Sequence, residues 1–168
     1  SVLIDTSSLT PHDLRAEVTR LFAPEGAGRL AITVMSFSYR RGLPTGADMV
    51  FDCRFLRNPH WDPALRPHDG RAAPVQSYIA GDPRFGQFRD RVIDMADLLL
   101  PAFEAEGKSH LTIAFGCTGG QHRSVAMTEI LSSHLAQAGW AVSKRHREVE
   151  QRRADTTGAT ERPEANKT

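Results

Sequence analysis

Cysteine, aromatic residues and long apolar runs are all scarce in this sequence. Of its 168 residues, 2 are cysteine and 7% are aromatic. Cys53 and Cys117 lie 64 positions apart and no signal-peptide pattern precedes them, which argues against a disulfide scaffold and for a reducing compartment, the cytoplasm. No apolar run approaches membrane-spanning length, and the 7 histidines have no metal-ligand spacing. We therefore expect neither a membrane span nor a metal site.

The net charge is close to zero, +1 at pH 7, so affinity for nucleic acid would have to come from local clusters of basic residues. With 40% hydrophobic residues, the chain is long enough for one domain with a real core. It opens on Ser1-Val2-Leu3-Ile4-Asp5 without methionine, like the end of a strand that began upstream, so we expect a fragment of a longer protein. We expect one domain over residues 1–153 and a disordered polar tail over residues 154–168.

The spacing of apolar residues predicts strands that alternate with helices. Strands are predicted at Leu30 to Phe37, Met49 to Phe55, Leu111 to Phe115 and Ala141 to Ser143. Helices are predicted at Thr10 to Ala23, Phe85 to Glu106 and Val125 to Ala138. The segment from Asn58 to Ala73 is rich in proline and aspartate and should be irregular. This alternation indicates an α/β fold, with a central mixed or mostly parallel sheet flanked by helices and ligands bound beyond the carboxyl ends of the strands.

The most informative motif is Cys117-Thr118-Gly119-Gly120-Gln121-His122-Arg123-Ser124, which joins a predicted strand to a predicted helix. The two glycines let the backbone turn so that N–H groups converge, and the helix start adds unpaired donors and the positive end of its dipole. Arg123 can add a bidentate fork and Ser124 a hydroxyl. The motif therefore predicts a site for phosphate, sulfate or a phosphorylated small molecule.

The same spacing, with five residues between a cysteine and an Arg-Ser pair, is that of the cysteine-dependent phosphatases. In that interpretation Cys117 is the nucleophile and Arg123 binds the transition state, because a thiol at a helix start beside Arg and His favours the thiolate. Asp62 or Asp82, each before a proline, would be the general acid. Gly116, however, stands where such phosphatases usually have histidine. A binding loop and a catalytic loop remain alternatives.

For the other candidate residues, a purely structural role is the alternative to a role in ligand binding. Asp52 and Arg54 flank Cys53 at alternate positions, so they would face a ligand together or form a surface ion pair. His60, in the loop Asn58-Pro59-His60-Trp61-Asp62-Pro63, would bind a phosphate or stack on a base, or the loop would simply pack its tryptophan. A basic set would be either a solvated helix face or a surface for a phosphate backbone. This set consists of Arg40, Arg41, Lys144, Arg145, Arg147, Arg152 and Arg153.

Several of these motifs occur together in one known family. They are Asp52-Cys53-Arg54-Phe55-Leu56, Asn58-Pro59-His60-Trp61-Asp62-Pro63, Leu65-Arg66-Pro67, Gly116 to Val125 and Arg145-His146-Arg147. From about Ile4 to Arg153 the chain resembles the carboxy-terminal half of the RapZ family of RNase adapter proteins. Whole members carry an upstream P-loop kinase-like domain that binds ATP and GTP. Since the sequence has no G-x-x-x-x-G-K-[ST] motif, the resemblance implies that this half is missing here.

The resemblance implies a non-catalytic domain that senses glucosamine-6-phosphate, binds small regulatory RNA, presents it to an endoribonuclease and forms homo-oligomers. It implies no cofactor in this half. RNA would contact His60 and the basic carboxy-terminal run, although Trp140 and Gln151 stand where the RNA-binding branch has lysines. The residues implied for the sugar-phosphate pocket are Asp52, Arg54, Ser109, Thr118, Gly119, His122 and Arg123, to which the loop pattern adds Gly120 and Ser124.

Overall fold

The computed structural model of the protein describes residues 29–160. The helix predicted from Thr10 to Ala23 lies outside these residues. Within them the alternation of strands and helices is confirmed, and the fold is α/β. The strands of this part of the chain are β1 (Ala31–Ser38), β2 (Met49–Asp52), β3 (His110–Cys117) and β4 (Ala141–His146).

The sheet has the order β2-β3-β1-β4, and each strand pairs with its neighbour in parallel. The central strands β1 and β3 are buried along most of their length, which explains why their sequences are nearly continuous apolar runs. Because the strands are parallel, their carboxyl ends meet at one edge of the sheet. Ser38, Asp52 and Cys117 all lie at this edge, where ligands of such folds bind.

Helices flank the sheet, with a core built from both layers. Helix α2 (Phe85–Ala105) buries Phe85, Val92, Ala96 and Leu100, a spacing of seven and four residues that places them on one face. Helix α3 (Arg123–Gln137) is buried along most of its first turns and contacts β1, β3 and β4. The helices of the described residues are α1 (Ala73–Ala80), α2 (Phe85–Ala105), α3 (Arg123–Gln137) and α4 (Arg147–Thr160), with short 3-10 turns at Tyr39–Arg41 and Pro59–Trp61.

Three segments differ from the sequence-based expectation. Helix α1 was not predicted, because Ala72 at its start offers no capping side chain, although Pro74 in its first turn was a usable signal. Strand β4 continues to His146, so Lys144 belongs to an exposed edge strand and not to a helix. Helix α4 runs to Thr160 and therefore includes the first residues of the tail that was expected to be disordered. No helix among residues 29–160 is long and apolar enough to cross a lipid bilayer.

Candidate functional site

The segment between β3 and α3 forms a tight loop at the carboxyl edge of the sheet. We call residues 118–122 the glycine loop. Gly120 has φ +66°, and a Cβ there would lie 2.9 Å from the backbone nitrogen of Ser38, so both the conformation and the space require glycine. The Ser38 hydroxyl donates to the Thr118 carbonyl at 2.7 Å and thereby ties the end of β1 to the loop. The predicted strand, turn and helix start are present in this order.

Arg123, the first residue of α3, is held by two backbone carbonyls. Its side chain donates through Nη1 to the carbonyl oxygens of Arg54 at 2.6 Å and Leu56 at 3.2 Å. Arg123 is 5% exposed, and its buried Nε has no hydrogen-bond partner among the described residues. Two backbone carbonyls therefore fix the guanidinium while one of its charged donors stays unused.

His122 precedes Arg123 and also buries an unused nitrogen. It is 8% exposed, and no hydrogen-bond partner for its Nε2 is found within residues 29–160. Burial lowers the pKa of His122, an effect that the nearby backbone carbonyls of Arg66 and His68 partly offset. At neutral pH the free ring is therefore uncharged and carries one N–H, so Nε2 donates to a ligand in the Nε2–H tautomer or when a bound anion favours the protonated ring.

A cavity of about 510 Å³ opens beside the glycine loop, within the range of small-molecule sites. Trp61, which is 76% exposed, forms part of its wall, and the His60 ring meets the indole edge to face with centroids 5.7 Å apart. We call this the main cavity. Its lining residues are Arg40, Asn58, His60, Trp61, Arg66, Cys117, Thr118, Gly119, Gln121, His122, Arg123 and Arg152.

Of the residues of the phosphatase hypothesis, Cys117 and Arg123 line the main cavity, whereas neither Asp62 nor Asp82 is among its lining residues. Cys117 is 3% exposed and its Sγ lies 3.1 Å from the Ser124 hydroxyl. Hydrogen bonds from Arg84 lower the pKa of the buried Asp82 to about 2, so this carboxyl is ionised at neutral pH and has no proton to donate. Asp62 accepts a hydrogen bond from the backbone of Ala64 at 2.9 Å and does not line the main cavity.

Asp52 and Arg54 form the ion pair that was one of the two alternatives for them. Arg54 Nη2 lies 2.6 Å from Asp52 Oδ2, and the two side chains are 49% and 42% exposed. The pair does not line the main cavity. Arg54 touches the site through its backbone, since its carbonyl accepts a hydrogen bond from Arg123.

Ser109 lies at the opposite edge of the sheet, which corrects its expected place in the pocket. It precedes β3, and its carbonyl accepts a hydrogen bond from the first residue of β1, Ala31, at 3.0 Å. The eight residues of β3 separate it from the glycine loop by roughly 26 Å, at about 3.3 Å per residue. Within one copy of the chain, Ser109 cannot reach the main cavity.

The predicted basic surface divides into two groups. Lys144 pairs with Glu129 at 2.7 Å, and Arg145 pairs with Glu150 at 3.1 Å, so much of their charge is balanced locally. Arg147 likewise forms an ion pair with Glu148. The other group adjoins the glycine loop: Arg40, Arg41 and Arg152 line a second cavity, and Arg152 and Arg153 line a groove beside it.

This second cavity has a volume of about 290 Å³ and we call it the small cavity. Gln121 and Glu148 in its wall were not identified from the sequence. Gln121 is part of the loop motif and could have been included, whereas nothing near Glu148 in the sequence indicated a place beside the loop. The lining residues are Ser38, Arg40, Arg41, Gly119, Gln121, Glu148, Gln151, Arg152 and Asp155.

Comparison with known proteins identifies similar chains among nucleotide-binding proteins. A protein of this name from Jannaschia sp. is 62% identical over 149 residues, which are 89% of this chain and 47% of that protein. Another, from Cereibacter sphaeroides, is 60% identical over 152 residues, which are 90% of this chain and 50% of that protein. A third, from Ruegeria pomeroyi, is 60% identical over 153 residues. The chain spans about half the length of the curated relatives it matches.

The family comparison covers the same part of the chain as the fold described above. The model of the RapZ C-terminal domain matches residues 30–150, which extend from the start of the sheet into α4 and include the glycine loop. The resemblance that the loop, strand-end and basic motifs suggested is confirmed by this match. The chain belongs to the RapZ C-terminal domain family.

Proposed function

We propose that this domain is a non-catalytic sensor with an adapter role, and that it binds a phosphorylated amino sugar, glucosamine-6-phosphate, in the main cavity. The observation that carries the proposal is the pair of unused nitrogens, His122 Nε2 and Arg123 Nε, on two buried residues that line one cavity. A buried polar group without a partner costs roughly 1–3 kcal/mol. A bound phosphate would remove this cost. Membership of the RapZ C-terminal domain family supports the adapter role.

The proposed ligand fits the two sides of the main cavity. Its phosphate would accept hydrogen bonds from the backbone of the glycine loop and from Arg123, with the positive end of the α3 dipole beneath it. Its sugar ring would lie toward His60 and Trp61, where the exposed indole offers an apolar face. The ion pair of Asp52 and Arg54 would support the site through the Arg54 carbonyl.

A sensor and a phosphatase differ in their need for the Cys117 thiol. We expect Cys117→Ser to keep most of the phosphosugar affinity, because the hydroxyl preserves the shape of the loop and the anion is held by other donors. We also expect the native domain to release no phosphate from aryl phosphates at any pH at which a thiolate exists. Calorimetry and a phosphate-release assay measure the two quantities. Turnover that disappears in Cys117→Ser would establish the phosphatase instead.

We further propose that the domain binds a small regulatory RNA and presents it to an endoribonuclease, as an assembly of identical chains. Arg40, Arg41 and Arg152 surround the small cavity, so their charge is concentrated on the side of the sheet that carries the glycine loop. The relatives are named nucleotide-binding proteins. We propose that their nucleotide binding belongs to the half of those proteins that this chain does not match.

The RNA proposal predicts a steep dependence on salt. We expect Arg152→Ala with Arg153→Ala to weaken RNA binding and to flatten the log–log salt slope by roughly 1.4–1.8, at about 0.7–0.9 for each lost phosphate contact. Phosphosugar affinity should fall less than RNA affinity, because Arg152 lines the main cavity but the phosphate would be held chiefly by the glycine loop and Arg123. Gel shifts over a salt series measure the slope. As a matched control, Arg89→Ala with Arg91→Ala removes the same charge from α2. Equal slopes for all three chains would contradict the assignment.

A further inference from the structure

Glu148, near the start of α4, has a buried carboxylate with a hydrogen-bond partner within the described residues at only one of its two oxygens. The residue is 6% exposed and lines the small cavity. Its Oε1 accepts a hydrogen bond from Arg147 Nε at 3.0 Å and lies 2.9 Å from Arg147 Nη2. Its Oε2 is buried, and within the described part of the chain it has no hydrogen-bond partner. One oxygen of an acidic side chain is therefore left for a donor that the domain itself does not supply.

The unused oxygen lies directly against the glycine loop. Glu148 Oε2 and Cγ are each 3.1 Å from the position that a Cβ on Gly120 would occupy, so the carboxylate packs over the α-carbon of that glycine. The small cavity shares Arg40, Gly119, Gln121 and Arg152 with the main cavity. A ligand held by the loop can therefore extend from one cavity into the other.

A carboxylate beside an anion site opposes the binding of a phosphate. Arg147 balances part of its charge, but Arg147 is also committed to the carbonyl oxygens of Ser38 at 3.3 Å and Gly42 at 2.8 Å. The other charged groups that line the small cavity are Arg40, Arg41, Arg152 and Asp155. These arginines attract any phosphorylated ligand, whereas Glu148 favours only a ligand that also carries a positive group.

We propose that Glu148 determines specificity by accepting a hydrogen bond from the ammonium group of an amino sugar phosphate. This inference rests on the proposed function. Such a hexosamine 6-phosphate carries its phosphate and its amine on one pyranose ring, so the glycine loop can hold the phosphate while Glu148, in the cavity that shares Gly119 and Gln121 with the main cavity, accepts from the amine. A neutral sugar phosphate places a hydroxyl there and gains no charge pair.

The test compares glucosamine-6-phosphate with glucose-6-phosphate by titration calorimetry. We expect the native chain to prefer the amino sugar by about ten- to a hundredfold, the usual effect of one charge-assisted hydrogen bond. Glu148→Gln keeps the size of the side chain and should bring the ratio of the two affinities close to one. Glu150→Gln is the matched control, since Glu150 is an exposed acid on the same helix that pairs with Arg145.

A comparison of ligands on the native chain tests the same point without a variant. N-Acetylglucosamine-6-phosphate carries no positive charge and should bind as weakly as glucose-6-phosphate. Equal affinities of the native chain for glucosamine-6-phosphate and glucose-6-phosphate would overturn the role of Glu148 and leave the phosphate site standing. An unchanged ratio in a folded Glu148→Gln chain would do the same. If neither sugar phosphate binds to the native chain, the proposed function fails and the inference fails with it.

Discussion

Replacing Arg123 with alanine is expected to lower the affinity of the domain for glucosamine-6-phosphate by about ten- to a hundredfold, or roughly 1.5–3 kcal/mol. The variant loses a charge-assisted donor whose orientation the carbonyls of Arg54 and Leu56 fix in advance. Such preorganisation matters, because a mobile surface arginine would lose side-chain entropy on binding and contribute less. Titration calorimetry with native and variant chains measures the difference.

Two further variants separate the contribution of the guanidinium from that of charge alone. Arg123→Lys keeps the positive charge but not the planar fork, so its affinity should lie between those of the native chain and Arg123→Ala. Arg91→Ala removes the same charge from an exposed position on α2 and should leave affinity unchanged. Thermal unfolding identifies any loss of fold from the missing carbonyl contacts. If a folded Arg123→Ala chain binds the ligand with native affinity, Arg123 is not part of the site.

The glycine loop could be predicted from sequence because its signals are local. An apolar run, two glycines and a helical pattern follow one another directly, and each acts through the backbone within a few residues. The alternation of strands and helices predicted the α/β class for the same reason. The parallel order of all four strands described here was left open, since pairing and register depend on contacts between distant segments.

The parts of the site that sequence reasoning missed depend on tertiary contacts. Glu148 reaches the loop only because β4 places the start of α4 beside the ends of β1 and β3. Arg123 meets the carbonyls of Arg54 and Leu56 across 69 and 67 positions of sequence. Ser109 shows the opposite error: it is close to the loop motif in sequence but is separated from it by the length of β3. Proximity in sequence therefore does not predict proximity in space where a strand runs between the two positions.

The segment before α1 packs against the start of α3 through Gly70, and Gly70→Ala is expected to have the largest effect on stability. A Cβ at Gly70 would collide with the carbonyl oxygen of His122 and would lie 2.6 Å from the backbone nitrogen of Ala126. Both atoms belong to the backbone at the start of α3, which cannot move without breaking the hydrogen bond from Gly70 N to the Gln121 carbonyl, 2.8 Å long. We expect a loss of roughly 3 kcal/mol, the upper end for overpacking.

Denaturant unfolding of native and variant chains measures this loss, which for a domain of this size corresponds to a decrease of roughly 6–12 °C in Tm. Gly86→Ala is the matched control, because Gly86 lies in the first turn of α2 and a Cβ there meets nothing within 4 Å. That variant should be unchanged or about 0.5 kcal/mol more stable. Any folded Gly70→Ala chain should also bind phosphosugar more weakly, since the collision displaces His122. Native stability and native affinity together would mean that Gly70 does not pack against the start of α3 as the structure places it.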